Sequence, residues 1–589
     1  MSERKKQSLL NGALVLGIAG ILVKITGVLF KLYITQKIGY DARGYFATAY
    51  NIYTPIYSLA LAGLPTAVSR IVAQKAAEGK YRDVKKLFNV SIAIFSILGL
   101  LGLLVIVLIA YPYTLSVESV DALPAVLAVA PSVLFCSIIS GYKGYTQGLG
   151  NMNPTSVSQV IESAGKLIFG FIFMNMVLLG GVEFADRIPI LRDLVTDASS
   201  AYSAAAAISG VTIGSAVALV YMVVCHKYDR YSIPAELIEN SEAAAPTRVL
   251  TKELIALAIP FAVSSLVFNL TTFIDGWTIQ NRLQAVLNTD FQTVADMFPA
   301  VIAAEGYTPA DAIKFKSYLF GAYDTVLEIK NIIPTFTLAF GISSMHLLTE
   351  AWTKKNLERA GQLINNVLKF IMLLSLPAGL GMVALSEEIL ILIYGNNANT
   401  APAIEYIAPI LAAYGVSVCF LTLAQPITNM LQAINQKIVP IKSMALGAAV
   451  KIIANFILVS IPSINIYGAV VGSFLCNVVM VIWGLIVLKK HTGLSYNMKS
   501  LVIKPLICAV VSSLGAWGVN FICNLILEGK DINSVLTAGN ISTVIAVGAA
   551  VVIYAFALLL TGTLSKNDIY MFPKGEKIAK VLEKYRLLR

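Results

Sequence analysis

Positively charged side chains lie inside long apolar segments near the start of the chain. Lys24 and Lys31 are seven residues apart, which is about two helical turns, so they share one helix face. Arg70 lies in the next apolar segment. A charge near the bilayer centre costs about 2.5–3.5 kcal/mol on insertion scales, so such residues usually line a pathway. Because a lysine ammonium is a point-charge partner for phosphate, the three residues are candidate phosphate-binding groups. The alternative at each position is a side chain that reaches the membrane surface.

Carboxylates occur further along the chain within similar surroundings. Asp275 lies deep in one apolar segment, and Asp324 and Glu328 share a helix face in the next. Buried carboxylates favour a proton- or sodium-coupled site, and a sodium or proton site near Asp275 is one hypothesis. A second is that these carboxylates balance the lysines, and a third is that they simply lie near the outer mouth of the protein. No firm metal site and no cofactor is predicted.

A third group of charges lies in the fourth and fifth apolar segments. Glu162 and Lys166 are four residues apart with the glutamate first, the favourable order for a helical ion pair. We predict a structural pair here, or a gating pair that exchanges partners. Lys143 and Lys504 are close to basic loops and are interpreted as membrane-surface anchors.

The overall composition identifies the broad class. Of 589 residues, 57% are hydrophobic and only 13% are charged, whereas a soluble protein carries about 25% charged residues. The net charge of +11 does not indicate nucleic-acid binding, because lysine and arginine concentrate in alternate short loops. The six cysteines contain no C-x-x-C pair, so neither a disulfide framework nor a zinc site is indicated.

Apolar runs long enough to cross a bilayer recur throughout the chain. They predict an all-α membrane protein with about 14 transmembrane helices. Basic loops alternate with acidic or neutral ones, which places both termini in the cytoplasm. The predicted spans are 9–36, 43–74, 88–112, 121–148, 155–180, 200–226, 251–282, 314–349, 359–386, 402–432, 438–461, 467–489, 500–527 and 539–563.

An internal repeat organises these spans. Residues 61–66 resemble residues 339–344, and Gln147, Lys166 and Phe171 recur at a constant offset as Gln432, Lys451 and Phe456. Two parallel six-helix copies are therefore predicted. Transporters built from two such copies bind their substrate near the middle of the membrane. The predicted domains are an N-terminal lobe 1–226, a cytoplasmic linker 227–250, a C-terminal lobe 251–489, helices 13–14 in 490–563 and a basic tail 564–589. The linker is expected to be a solvated connector, with or without a short interfacial helix.

Three motifs resemble the multidrug/oligosaccharidyl-lipid/polysaccharide exporter superfamily. They are Lys24-x-x-Gly27-x-x-x-Lys31, Gly63-Leu64-Pro65-Thr66-Ala67-Val68-Ser69-Arg70, and the run from Gly144-x-x-Gln147-Gly148 to Ser158-Gln159-x-x-Glu162. The resemblance is to the polysaccharide-biosynthesis branch that contains stage V sporulation protein B and YtgP, related to the lipid II flippase MurJ. It implies two six-helix lobes in a V, with two extra C-terminal helices whose groove takes a polyprenyl tail.

The resemblance also implies a function. That function is export of an undecaprenyl-pyrophosphate-linked sugar, such as lipid II or another polysaccharide precursor, from the cytoplasmic to the outer leaflet. We expect alternating access in a bacterial plasma membrane, driven by the membrane potential or a cation gradient, with no enzymatic step. The expected partners are the lipid-linked glycan, membrane lipids and proteins of cell-envelope synthesis, but no nucleic acid. A cation-coupled multidrug exporter is the alternative, and a polyprenyl-sugar glycosyltransferase is a third hypothesis.

Overall fold

The computed structural model describes residues 9–61, 64–181, 194–228, 233–436, 438–494, 496–527 and 537–564. Within these ranges the chain is helical and contains no strand, so the all-α prediction is confirmed. In chain order the α-helices are α1 Leu9–Leu61, α2 Leu64–Ala77, α3 Tyr81–Ser116, α4 Leu123–Gly148, α5 Asn153–Met176, α6 Ala198–Tyr228, α7 Ala235–Glu239, α8 Thr247–Thr289, α9 Phe291–Asp296, α10 Pro299–Glu305, α11 Ala312–Lys330, α12 Ile332–Thr353, α13 Leu357–Ala384, α14 Ser386–Leu390, α15 Ile404–Ala433, α16 Ile438–Leu458, α17 Tyr467–Thr492, α18 Lys504–Leu527 and α19 Ala538–Leu560.

Among the described residues, eleven helices are long and apolar enough to cross a membrane. The first of these, Val15–Ser58, contains most of the first predicted span and half of the second. The seventh and eighth predicted spans correspond to α8 and to α11 with α12, which are long helices but are absent from the eleven. The chain is therefore a multi-pass membrane protein, and the count of fourteen spans is consistent with its helices.

A glycine separates the two halves of α1. Gly39 has φ 75° and ψ −179°, a conformation that a residue with a Cβ atom rarely adopts. The kink lets one continuous run of helix present two different faces. The half before it carries Lys24 and Lys31, and the half after it carries Tyr50.

Close packing groups the helices into two compact units. The first contains Met1–Asn288 with Tyr307–Ala322, and the second contains Thr289–Gly306 with Tyr323–Arg589. The first unit includes the start of α11 because that helix packs directly on α1. A Cβ atom on Gly44 would overlap the backbone carbonyl of Ser317. The predicted lobes follow the sequence repeat rather than these contacts, and their boundaries and V arrangement stay predictions.

The second unit has its own apolar core and a buried hydroxyl contact. Side chains of α13, α15, α17 and α18 form that core. The Tyr323 and Tyr414 hydroxyls lie 2.8 Å apart within the unit. Helices α18 and α19 pack closely, and Ser512 Oγ donates a hydrogen bond of 2.7 Å to the Ala550 carbonyl. Small residues permit this approach, while the predicted groove for a polyprenyl tail stays a prediction.

Most residues of the described part of the linker, 233–250, are exposed, and the segment contains the short helix α7. It is also held in place by hydrogen bonds. Its segment 233–246 is hydrogen-bonded to the first two turns of α3, and we call this arrangement the linker clasp. Leu250, just beyond it, is fully buried. The bonds of the clasp are Arg82 Nε to Ile238 O (3.0 Å), Arg82 Nη2 to Glu239 O (2.9 Å), Lys86 Nζ to Ala245 O (2.7 Å) and Ala245 N to Asp83 Oδ1 (2.7 Å). The linker takes part in these bonds through its backbone groups, so no pattern of side chains in the sequence predicted the bonds.

Candidate functional site

A cavity of about 580 Å³ lies within the first compact unit. Helices α1, α2, α4, α5 and α6 contribute its walls. The lining residues that the structure describes include three lysines and one glutamate, and we call the space the lysine cavity. Its lining residues are Gly20, Val23, Lys24, Gly27, Tyr50, Tyr53, Tyr57, Pro65, Lys143, Gln147, Thr155, Gln159, Glu162, Ser163, Lys166 and Val211.

Helical periodicity explains why these residues converge. On α5 the polar residues Gln159, Glu162, Ser163 and Lys166 follow a spacing of three and four, so they occupy one face. The Ser163 hydroxyl donates to the Val23 carbonyl at 3.3 Å, which holds that face against α1. The apolar remainder of α5 is left to pack or to face lipid.

The second half of α1 supplies an aromatic wall. Tyr50, Tyr53 and Tyr57 share a face, and successive ring centroids lie 5.7 and 5.0 Å apart. Their rings both pack on one another and line the cavity.

Lys166 has a defined position at this aromatic wall. Its Nζ donates a hydrogen bond of 2.8 Å to the Tyr50 hydroxyl. The same ammonium lies 5.1 Å from the ring centroids of both Tyr50 and Phe30. A cation this close to an aromatic face is stabilised by the ring quadrupole. These contacts therefore hold the Lys166 side chain at the cavity wall.

Glu162 has a partner that the sequence did not indicate. Its Oε2 lies 3.6 Å from Lys143 Nζ, and the thiol of Cys136 lies 3.7 Å from its Oε1. The i, i+4 spacing predicted Lys166 as the partner. The interpretation of Lys143 as a surface anchor is wrong, because its side chain is only 9% exposed and it lines the cavity.

The other predicted substrate-binding residues occupy different places. Lys24 is exposed and lines the cavity, as its location within an apolar segment indicated. Lys31 is half-buried, and its Nζ lies 5.3 Å from the Tyr50 ring centroid, just outside the cavity lining. Arg70 is exposed on α2 and is not among the lining residues. The structure thus brings Lys24 together with Glu162 and Lys166.

The predicted coupling carboxylates do not line the lysine cavity. Asp275 is buried on α8 within the first unit, at 7% exposure. Asp324 and Glu328 are half-buried on the part of α11 that belongs to the second unit. Across the described ranges, no three histidine, cysteine or acidic side chains cluster in a way that could hold a metal ion. The hypothesis of a sodium or proton site near Asp275 stays a prediction.

One further charge in the first unit was missed by sequence reasoning. Lys316 is fully buried, and its Nζ donates to the carbonyl oxygens of Val117 at 2.5 Å and Glu118 at 2.8 Å. The acceptors are backbone groups, which have no signature in the sequence. Lys316 therefore joins α11 to the end of α3 and is not a cavity residue.

Two family models match the chain. Residues 9–295 match the model described as polysaccharide biosynthesis protein, and residues 335–529 match the one described as lipid II flippase MurJ. Stage V sporulation protein B of Bacillus subtilis (strain 168) is 24% identical over 577 residues, covering 96% of this chain and 98% of that protein. Lipid II flippase MurJ of the same organism is 24% identical over 524 residues, covering 86% and 87%.

Solved structures share the fold. The inward closed conformation of lipid II flippase MurJ aligns with a TM-score of 0.60 at 14% identity, covering 93% of this chain and 98% of that one. An inward-facing multidrug resistance MATE family transporter of the MOP superfamily aligns at 0.59 and 13% identity, covering 81% and 99%. These matches define a multi-pass helical membrane protein with the fold of MurJ and MATE proteins.

The family models and the relatives agree with one another. They support a protein of the multidrug/oligosaccharidyl-lipid/polysaccharide exporter superfamily that is related to MurJ. The resemblance drawn from its motifs is thereby confirmed.

Proposed function

We propose that this protein is a flippase that moves an undecaprenyl-pyrophosphate-linked sugar from the cytoplasmic to the outer leaflet of a bacterial plasma membrane. The observation that carries the proposal is the lysine cavity. Lys24, Lys143 and Lys166 converge on a space of about 580 Å³ formed by membrane-spanning helices. The name of one relative, lipid II flippase MurJ, supports the same class of substrate.

The physical problem of such transport explains the cavity. Moving an unsolvated ion into a medium of low dielectric constant costs on the order of 20 kcal/mol. A cavity lined by cations and hydroxyls replaces the water around the phosphates, while the polyprenyl tail stays in lipid. Each negative charge moved outward in an inside-negative cell gains about 2.3 kcal/mol per 100 mV. The potential can therefore drive export, and the sequence contains no G-x-x-x-x-G-K-[S/T] phosphate loop for ATP.

The residues take separate roles in this proposal. Lys24 contacts the pyrophosphate, and Lys31 and Arg70 lie along its path to and from the cavity. Asp275, Asp324 and Glu328 bind a proton or sodium ion that resets the alternating-access cycle. The protein works as a transporter and performs no covalent step. Its termini are cytoplasmic, in keeping with the basic residues of both tails.

A cation-coupled multidrug exporter is the second candidate, favoured by the structural likeness to a MATE family transporter. A cavity for cationic drugs would be lined mainly by acidic and aromatic groups. The lysine cavity has three lysines to one glutamate, which disfavours a cationic substrate.

Proteoliposomes distinguish the two candidates. The purified chain is reconstituted with a fluorescent polyprenyl-pyrophosphate sugar, and dithionite added outside bleaches the label that reaches the outer leaflet. We expect protein-dependent transbilayer movement that accelerates under an inside-negative potential. Efflux of a cationic dye without lipid movement would favour the drug exporter and overturn the proposal.

A further inference from the structure

The distance between the charged groups of Lys143 and Glu162 is longer than a permanent structural pair would require. The atoms of the pair are 3.6 Å apart, whereas a charge-assisted N–H···O hydrogen bond is typically about 2.7–2.9 Å long. The two groups therefore attract each other through space without a tight hydrogen bond. The Lys143 ammonium is enclosed by protein but retains capacity for a closer anion.

Glu162 has a second cation within reach of its own helix. Lys166 lies one turn further along α5, in the order that favours an ion pair. In this structure Lys166 donates to the Tyr50 hydroxyl. The carboxylate is thus placed between a non-local lysine and a local one, and both line the same cavity.

The charge of the cavity supports an exchange between these lysines. Three lysines and one glutamate among the described lining residues give a formal charge of +2. A pyrophosphate diester carries two negative charges near neutral pH, one on each phosphate, so a loaded cavity is neutral. A phosphate monoanion would leave it at +1. The lining therefore matches a pyrophosphate-linked lipid better than a lipid linked through one phosphate.

We infer that Lys143 binds the lipid headgroup, and that Glu162 pairs with Lys143 while the cavity is empty. When the pyrophosphate enters, one of its phosphates forms an ion pair with Lys143. The Glu162 carboxylate then pairs with Lys166 instead. Lys24 contacts the other phosphate. Lys143 thereby sets the preference for two phosphates over one. This inference rests on the proposed function and adds to it a residue and a basis for selectivity.

Binding and transport are measured separately to test the inference. Binding is measured in detergent with the full chain and two fluorescent probes that share a tail and sugar and differ only in one or two phosphates. Transport of the same probes is measured in proteoliposomes. The variants are K143Q, K143R and E162Q, with K504Q as a matched control. Lys504 is also a lysine of a membrane-spanning helix, but it donates to the Thr561 carbonyl and is not a cavity residue.

Loss of one charge-assisted contact should weaken pyrophosphate binding by K143Q about tenfold. Binding of the monophosphate probe should change by less than about threefold, and K143R should retain the wild-type preference. E162Q should bind the pyrophosphate probe more tightly, because it removes the competitor for Lys143. A general structural defect would weaken both probes alike.

The inference is overturned if K143Q keeps the wild-type preference, or if the wild-type chain fails to bind the pyrophosphate probe. Binding with no transport by the wild type would leave the assignment of Lys143 supported and reject the flippase proposal. The two failures are therefore distinguishable.

Discussion

Removing the guanidinium of Arg82 should release the linker without unfolding the helices. That group donates two hydrogen bonds to linker carbonyls, at 3.0 Å to Ile238 and 2.9 Å to Glu239. Arg82 is exposed, so water competes for these bonds and each contributes about 0.5–1.5 kcal/mol. Loss of both in R82A should lower the free energy of local opening by about 1–3 kcal/mol.

This change has a measurable consequence for hydrogen exchange. Because about 1.4 kcal/mol corresponds to a tenfold change in an equilibrium constant, linker amides in R82A should exchange about 5- to 150-fold faster. Hydrogen–deuterium exchange with mass spectrometry on peptides from residues 233–246 measures this directly. Peptides from the buried part of α4 should exchange at the wild-type rate, since they do not touch the clasp.

A neighbouring lysine provides the control. Lys85 is exposed on the same turn as Arg82 and carries the same charge, but the hydrogen bonds of the clasp come from other residues. K85A should therefore leave linker exchange unchanged. Equal exchange in R82A and K85A would show that net positive charge, and not the hydrogen-bonded clasp, orders the linker, and the reasoning would fail.

Three further predictions concern the first compact unit. K24Q should slow lipid movement in proteoliposomes at least about tenfold while K24R preserves it, and a wild-type rate in K24Q would remove Lys24 from the mechanism. G44A should lower stability by about 1–3 kcal/mol, because its Cβ atom would overlap Ser317; an unchanged unfolding temperature in detergent would contradict that packing. E162A should lower the free energy of unfolding by about 1–3 kcal/mol, which is less than the loss for a fully buried pair because Glu162 is 23% exposed. The double variant K143M/E162L, which replaces both charges by apolar side chains, should recover most of this loss. Purely additive effects of the substitutions would contradict the pairing.

The fold class and one wall of the site were accessible from the sequence. Apolar runs predict helices because hydrocarbon leaves backbone groups no other partners. A lysine in the middle of such a run indicates a polar pathway, and Lys24 indeed lines the cavity. Glu162 and Lys166 were found for the same reason, since both interrupt an apolar segment.

Tertiary partners were not accessible in the same way. Lys143 is near the end of α4, so its sequence position favoured a surface anchor, whereas α5 supplies the carboxylate beside it. Gln147, four residues on, also lines the cavity, and two polar residues on one helix face were the signal available. Lys316 and the linker clasp depend on backbone groups, which have no signature in the sequence.

The most direct test of the account is to locate the bound headgroup. A polyprenyl-pyrophosphate probe with a photoreactive group beside the phosphates is bound to the full chain, irradiated, and its attachment points are identified by mass spectrometry. We expect labelling of α1 around residues 20–27 and of α5 around residues 159–166, abolished by excess unlabelled pyrophosphate lipid. Labelling confined to other helices, with these two segments unmodified, would contradict the assignment of the lysine cavity as the headgroup site.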